Sequence, residues 1–176
     1  MKKVGCFLCA LCFSGSVLAM DGLSVEAGRG MDTNVARIGA VFNFDRQWFT
    51  EGDWQVSGFW EAMAGQWRGH SRFGNNQTIT DISLTPVFRL QQKNPAGLSP
   101  YLEAAIGFHL ISPDFINQNR RFGSSLQFGD HVGAGVTFGD HHQYDLAYRF
   151  QHLSNGGIKE PNEGINLNEV HFIYHF

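Results

Sequence analysis

The sequence predicts an all-β chain, an eight-stranded antiparallel transmembrane β-barrel. Three observations carry that prediction. Segments of about ten residues alternate apolar with polar side chains, the period of a strand and the length of a tilted membrane crossing. Beyond residue 19 there is no run of about eighteen apolar residues, so no membrane helix is encoded, and a barrel leaves only a weak hydropathy signal. Glycine (21) and phenylalanine (16) are both abundant, which suits strands aromatic on one face and closely packed on the other.

The start of the chain reads as a leader. Lys2 and Lys3 give a positive opening, Val4 to Val17 is mostly apolar, and Val17-Leu18-Ala19 offers a cleavage position. Residues 1–19 are therefore expected to be a secretory signal peptide, and 20–176 a single barrel domain. A lipoprotein leader fits poorly, because Cys9 and Cys12 follow Leu8 and Leu11 rather than a small residue. Cys6, Cys9 and Cys12 all precede residue 20, so the barrel has no thiol, disulfide or cysteine metal site. Of 13 Lys and Arg, only Lys2 and Lys3 lie in the leader; the remaining 11 face 16 Asp and Glu, a net charge near −5. No basic cluster points to nucleic acid.

Eight strands are expected near 22–30, 35–45, 53–67, 78–91, 100–111, 126–138, 143–155 and 165–176. In the second, Ala36, Ile38, Ala40 and Phe42 alternate with Arg37, Gly39 and Asn43. In the fourth, Ile82, Leu84, Phe88 and Leu90 oppose Asp81, Ser83, Thr85 and Arg89. In the fifth, Leu102, Ala104, Ile106 and Phe108 oppose Tyr101, Glu103 and His109. In the sixth, Val132, Ala134 and Val136 oppose His131, Gly133 and Gly135. A soluble sandwich could share this pattern with its faces reversed. Aromatics near the segment ends (Trp48, Phe49, Trp54, Tyr144, Phe176) favour a barrel with interfacial girdles. So does the closing stripe Val170, Phe172, Tyr174, Phe176, an ending that resembles the assembly signal of bacterial outer-membrane barrels.

Connections alternate short and long. Asp45–Gly52, Gln92–Ser99 and Gly139–Gln143 read as turns, and Arg68–Gln77, Ser112–Ser125 and Asn155–Gly164 as loops. Short connections belong on the periplasmic side and long ones outside, so the seventh strand is expected to end near the outer surface.

That seventh strand carries the chemistry. Tyr144, Leu146, Tyr148, Phe150, His152 and Ser154 share one face, so a base and a nucleophile end an apolar stripe. A His-x-Ser triplet is by itself a weak signal, since strand ends turn polar where they leave a membrane. The eighth strand strengthens it: Asn166 and Asn168 fall on the apolar parity, which sets Asn166 beside His152 on the neighbouring strand. Its amide oxygen could orient one imidazole nitrogen and leave the other to take the serine proton.

The run His152-Leu153-Ser154-Asn155-Gly156-Gly157-Ile158-Lys159-Glu160-Pro161-Asn162-Glu163-Gly164-Ile165-Asn166 resembles the C-terminal signature of PagL-type lipid A 3-O-deacylases. Weaker likeness extends to Pro100–Gly107 and Gly123–Phe128. The resemblance implies an eight-stranded outer-membrane enzyme that hydrolyses the ester-linked acyl chain at the 3 position of lipid A, without metal or other cofactor. It implies Ser154 as nucleophile, His152 as general base, and Asn155 and Gly157 as oxyanion donors. The departure is Asn166, where the family's type member has a glutamate. An amide can fix a tautomer but brings no charge to an imidazolium. Glu163 is the substitute from the loop; Glu169 has inward parity.

The other histidines are expected in structural roles: His109, His131, His171 and His175 inward, His141 and His142 in a turn. Arg68, His70, Arg72, Arg120 and Arg121 are loop cations that could meet lipid A phosphates. The expected partners are lipopolysaccharide and the outer membrane, with a homodimer left open. Rival readings are a non-catalytic small barrel for adhesion or envelope structure, a barrel acyltransferase and a calcium-dependent phospholipase. The outward parity of Ser154 counts against the acyltransferase, and the lack of a carboxylate cluster against the phospholipase.

Overall fold

The computed structural model describes residues 19–70, 77–117 and 120–176, so the signal-peptide reading lies, but for Ala19, outside the described residues. The strands are β1 (Gly22–Gly30), β2 (Thr33–Asn43), β3 (Trp54–Gly69), β4 (Gln77–Gln92), β5 (Ser99–Ser112), β6 (Phe115–Asn117), β7 (Arg120–Arg121), β8 (Leu126–Phe138), β9 (Tyr144–Ser154) and β10 (Ile165–His175). Eight of them close in the order β1-β10-β9-β8-β5-β4-β3-β2, every neighbour antiparallel. The short β6 and β7 pair only with each other, inside the connection between β5 and β8. The sequence reading has a plain loop there, because two- and three-residue strands are too short to display a period.

The faces fall as the alternation requires. On β4, Ile82, Leu84, Phe88 and Leu90 are 42–56% exposed, while Asp81, Ser83, Thr85 and Arg89 are buried. An apolar outside around a charged inside inverts a soluble sandwich and suits lipid as the surrounding medium. Closure gives each strand two partners, so no backbone edge meets hydrocarbon, where an unsatisfied group costs several kcal/mol.

The lumen is filled in layers. Beneath the long loops, Val35, Trp67, Ile79, Ile111, Leu153 and Ile165 pack with Ile116 and Phe122 from the β6–β7 hairpin. A charged layer follows. Arg149 reaches Glu103 (2.5 Å), Glu61 (3.0 Å) and Glu26 (3.2 Å), Arg37 pairs with Glu26 (2.5 Å), and Arg89 with Glu103 (2.9 Å) and Asp145. His171 joins Glu61 (2.7 Å), and His109 joins Asp81 (3.0 Å). Glu169 is buried and turned inward, 3.3 Å from Arg37, as its parity predicts. Val41, Phe59, Val87 and Ile173 close the turn end. Charges removed from water survive only when paired, which is why this layer interlocks.

Outside, the two ends differ. Aromatics crowd the turn end: Phe44 with Trp48, Trp60 and Phe88, and Tyr144 with Phe138, Phe172 and Tyr174. At the loop end the outward positions turn polar, and among them Arg29, Asn34, Arg68, Asp130, Asn166 and Asn168 are exposed.

Candidate active site

Antiparallel pairing of β9 with β10 sets His152 directly opposite Asn166 and Phe150 opposite Asn168. Both His152 and Ser154 face outward and are half-buried; their neighbours Gln151, Leu153 and Asn155 are buried. His152 Nδ1 lies 2.6 Å from Asn166 Oδ1. An amide oxygen only accepts, so Nδ1 carries the proton and Nε2 keeps a lone pair. That tautomer suits a general base acting through Nε2. Glu163 is engaged elsewhere: its carboxylate accepts the Arg121 backbone N–H at 2.6 Å.

The loop from Asn155 to Gly164 is built around the Asn155 side chain, which is fully buried. Its Nδ2 donates to the carbonyls of Phe122 (2.7 Å) and Lys159 (2.5 Å), and its Oδ1 accepts the Gly157 N–H (2.9 Å). The Asn155 N–H donates to Asn162 Oδ1 (2.9 Å). Both residues assigned to the oxyanion by resemblance thus have their donors engaged, within the loop or by the Phe122 carbonyl. Gly156, between them, has no acceptor for its N–H among the described residues. Gly156 and Gly157 both adopt left-handed φ (+64° and +78°), which an Asn-Gly-Gly run tolerates without strain.

Several groups around this pair were missed by sequence reasoning. Asp130 on β8 sits directly opposite His152 and is exposed, so the imidazole lies between Asn166 and a carboxylate. Its parity with Val132 and Ala134 was legible; its height against His152 was not. Gly164 (φ +59°) crosses the imidazole so closely that a Cβ there would lie 3.0 Å from His152 Cε1. The Gly164 carbonyl accepts a hydrogen bond from the Arg120 guanidinium, so β7 clamps the loop over the histidine. From the other side, the β1–β2 turn brings Met31 Sδ within 3.4 Å of the Asn166 N–H. Phe128 stands opposite Ser154 and packs on Phe108, giving the serine an aromatic wall.

The loop cations separate. Arg120 is committed to Gly164 and Arg121 lies 5.8 Å from the Phe115 ring; Arg68 is exposed on the outer wall; Arg72 lies outside the described residues. Among the described residues no group of three or more His, Cys, Asp or Glu side chains is arranged to hold a metal ion.

Comparison with known proteins gives a consistent result. The family model for lipid A 3-O-deacylase (PagL) matches residues 34–175. The lipid A deacylase PagL of Pseudomonas aeruginosa is 29% identical over 150 residues, covering 85% of this chain and 83% of that one. Its counterpart from Bordetella bronchiseptica is 33% identical over 118 residues, 67% of this chain and 58% of that relative. The crystal structure of the outer membrane enzyme PagL superposes with a TM-score of 0.78 at 26% identity, covering 88% of this chain and 99% of that one. With an outward histidine held by its cross-strand amide on a closed eight-stranded barrel, and a family match spanning most of its length, the chain belongs to the PagL family of lipid A 3-O-deacylases.

Proposed function

We propose that the protein is an outer-membrane esterase that hydrolyses the 3-O-linked 3-hydroxyacyl chain of lipid A, with Ser154 as nucleophile and His152 as general base. The observation that carries this reading is the 2.6 Å contact between His152 Nδ1 and Asn166 Oδ1 on a face turned to lipid, with Ser154 two residues along the same face. Long connections in outer-membrane barrels lie outside the cell, which sets this face at the height of the outer-leaflet sugars.

The reaction runs as acyl transfer to water. Ser154 Oγ attacks the ester carbonyl while His152 Nε2 takes its proton. Collapse of the tetrahedral intermediate expels the sugar 3-oxygen, which receives that proton from His152. Water, deprotonated by the same nitrogen, then attacks the acyl-serine, and His152 returns that proton to Ser154 Oγ as the 3-hydroxy fatty acid leaves. Oxyanion donors of this kind are worth about 3–4 kcal/mol where measured. The Gly156 N–H, which has no acceptor among the described residues, joins Asn155 and Gly157 as an oxyanion donor. Asn166 holds the tautomer, while Asp130, one strand spacing away, supplies the negative charge that an amide lacks when the imidazolium forms. Phe128 and Phe150 flank the serine and histidine as a surface for the acyl chain.

Mass spectrometry of lipid A from cells expressing the chain tests this. The intact chain should remove one 3-hydroxyacyl group, and Ser154→Ala should remove none while still folding. Unaltered lipid A with the intact chain would overturn the activity; deacylation by Ser154→Ala would overturn the serine mechanism.

A further inference from the structure

One polar row on the outer wall is left unused by this chemistry. Reading across the hydrogen bonds from the Asn166 strand, Asn168 of β10 stands opposite Arg29 of β1, Arg29 opposite Asn34 of β2, and Asn34 opposite Arg68 of β3. All four are exposed and share the outward face. The row is rich in donors and holds no carboxylate. Asn168 Oδ1 is taken by the Tyr148 hydroxyl (2.5 Å), which leaves its amide N–H groups facing outward without an acceptor among the described residues. Neither Arg29 nor Arg68 has an ion-pair partner among the described residues, whereas Arg37, Arg89 and Arg149 in the lumen each meet at least two carboxylates.

Spacing suits a sugar-phosphate headgroup. Arg29 and Arg68 are two strands apart, about 10 Å at ordinary strand separation, and Arg29 is two strands from β9. The row is in register with Phe150, four residues or about 13 Å along β9 from Ser154, so a headgroup whose ester lies at Ser154 comes within reach of the long Arg29 side chain. Guanidinium groups match phosphate with paired, charge-assisted hydrogen bonds. We propose that Asn168, Arg29, Asn34 and Arg68 form a phosphate-binding subsite that holds the phosphorylated headgroup of the lipid substrate. The subsite rests on the reading of the chain as a lipid A deacylase and adds the feature of the substrate that these residues recognise.

The test uses the full barrel in neutral detergent, so that the substrate carries the only phosphate present. Two substrates are compared, phosphorylated lipid A and the same lipid after removal of its phosphates. The intact chain should favour the phosphorylated form by about tenfold or more in kcat/KM, the scale of a hydrogen bond to a charged group. Replacing both residues (Arg29→Gln with Arg68→Gln) should bring that ratio close to one, chiefly through KM, and the paired lysine replacements should restore part of it. Added salt should erode the preference of the intact chain. An intact chain that cleaves both lipids equally well, or a glutamine variant that keeps the preference, would overturn the subsite and leave deacylation standing. Failure of the intact chain to cleave either lipid would instead overturn the deacylase reading.

Discussion

The lumen and the outer wall at the loop end both concentrate ionisable side chains, and they use them in opposite ways. In the lumen, Arg37, Arg89 and Arg149 interlock with Glu26, Glu61, Glu103 and Asp145, and the groups are buried to within a few per cent. On the wall, His152 has one side-chain partner among the described residues, Asn166, and its Nε2 has none. The contrast teaches that density of buried charge marks structure here, and that a half-buried imidazole beside a serine on the lipid face marks the candidate site. A missing partner alone does not, since His109 Nε2, His131 Nε2 and His171 Nδ1 in the lumen also lack one among the described residues. A search for the most charged cluster in this chain would have found its filling.

The largest effect expected from testing that contrast falls on the lumen. Arg149→Met removes a cation shared by Glu26, Glu61 and Glu103, leaves Glu61 with no arginine partner, and should destabilise the barrel by about 3–5 kcal/mol. A urea titration followed by the gel shift between folded and unfolded barrel would measure it. An unchanged midpoint would mean that the network is dispensable and the contrast false.

Next comes the partner of the histidine. Asn166→Leu removes the acceptor from Nδ1 and should lower the rate about 5- to 150-fold, the cost of a lost hydrogen bond of roughly 1–3 kcal/mol, with the unfolding midpoint preserved. Asn166→Glu should retain activity and move the acid limb of the pH–rate profile upward. A carboxylate stabilises the protonated imidazole, so the base is lost at a higher pH as acid is added. A profile that does not move would show that this position does not act through His152.

The smallest effect concerns the clamp. Arg120→Ala releases the Gly164 carbonyl and should reduce kcat severalfold with little change in KM, because the loop over His152 loosens while the substrate wall stays intact. Arg120→Lys should recover part of the loss. A change confined to KM would assign Arg120 to substrate binding instead.

Most of the barrel was legible in the linear chain. The alternation on β4 and β5 assigned each side chain to lipid or lumen, and the observed strand limits fall within two residues of those expected. The pairing of His152 with Asn166 was legible for a related reason: β9 and β10 are joined by one connection, and adjacent antiparallel strands must meet near their loop. Glu163 illustrates the limit. Nearness along the chain made it a candidate orienter, yet its carboxylate is bound to the Arg121 backbone, a partner that no local pattern reveals.

Parity is a property of one strand, fixed by a backbone whose successive side chains point to opposite sides, and so the amino-acid order alone determined which residues face lipid. Register around the ring is a property of all eight strands at once, set by how the sheet staggers in order to close. Only that closure set Arg29 of β1 against Asn168 of β10, and only the tertiary fold of the β5–β8 connection carried Arg120 to the Gly164 carbonyl. These residues lie far apart along the chain, and no period within a single segment carries information about their relative height.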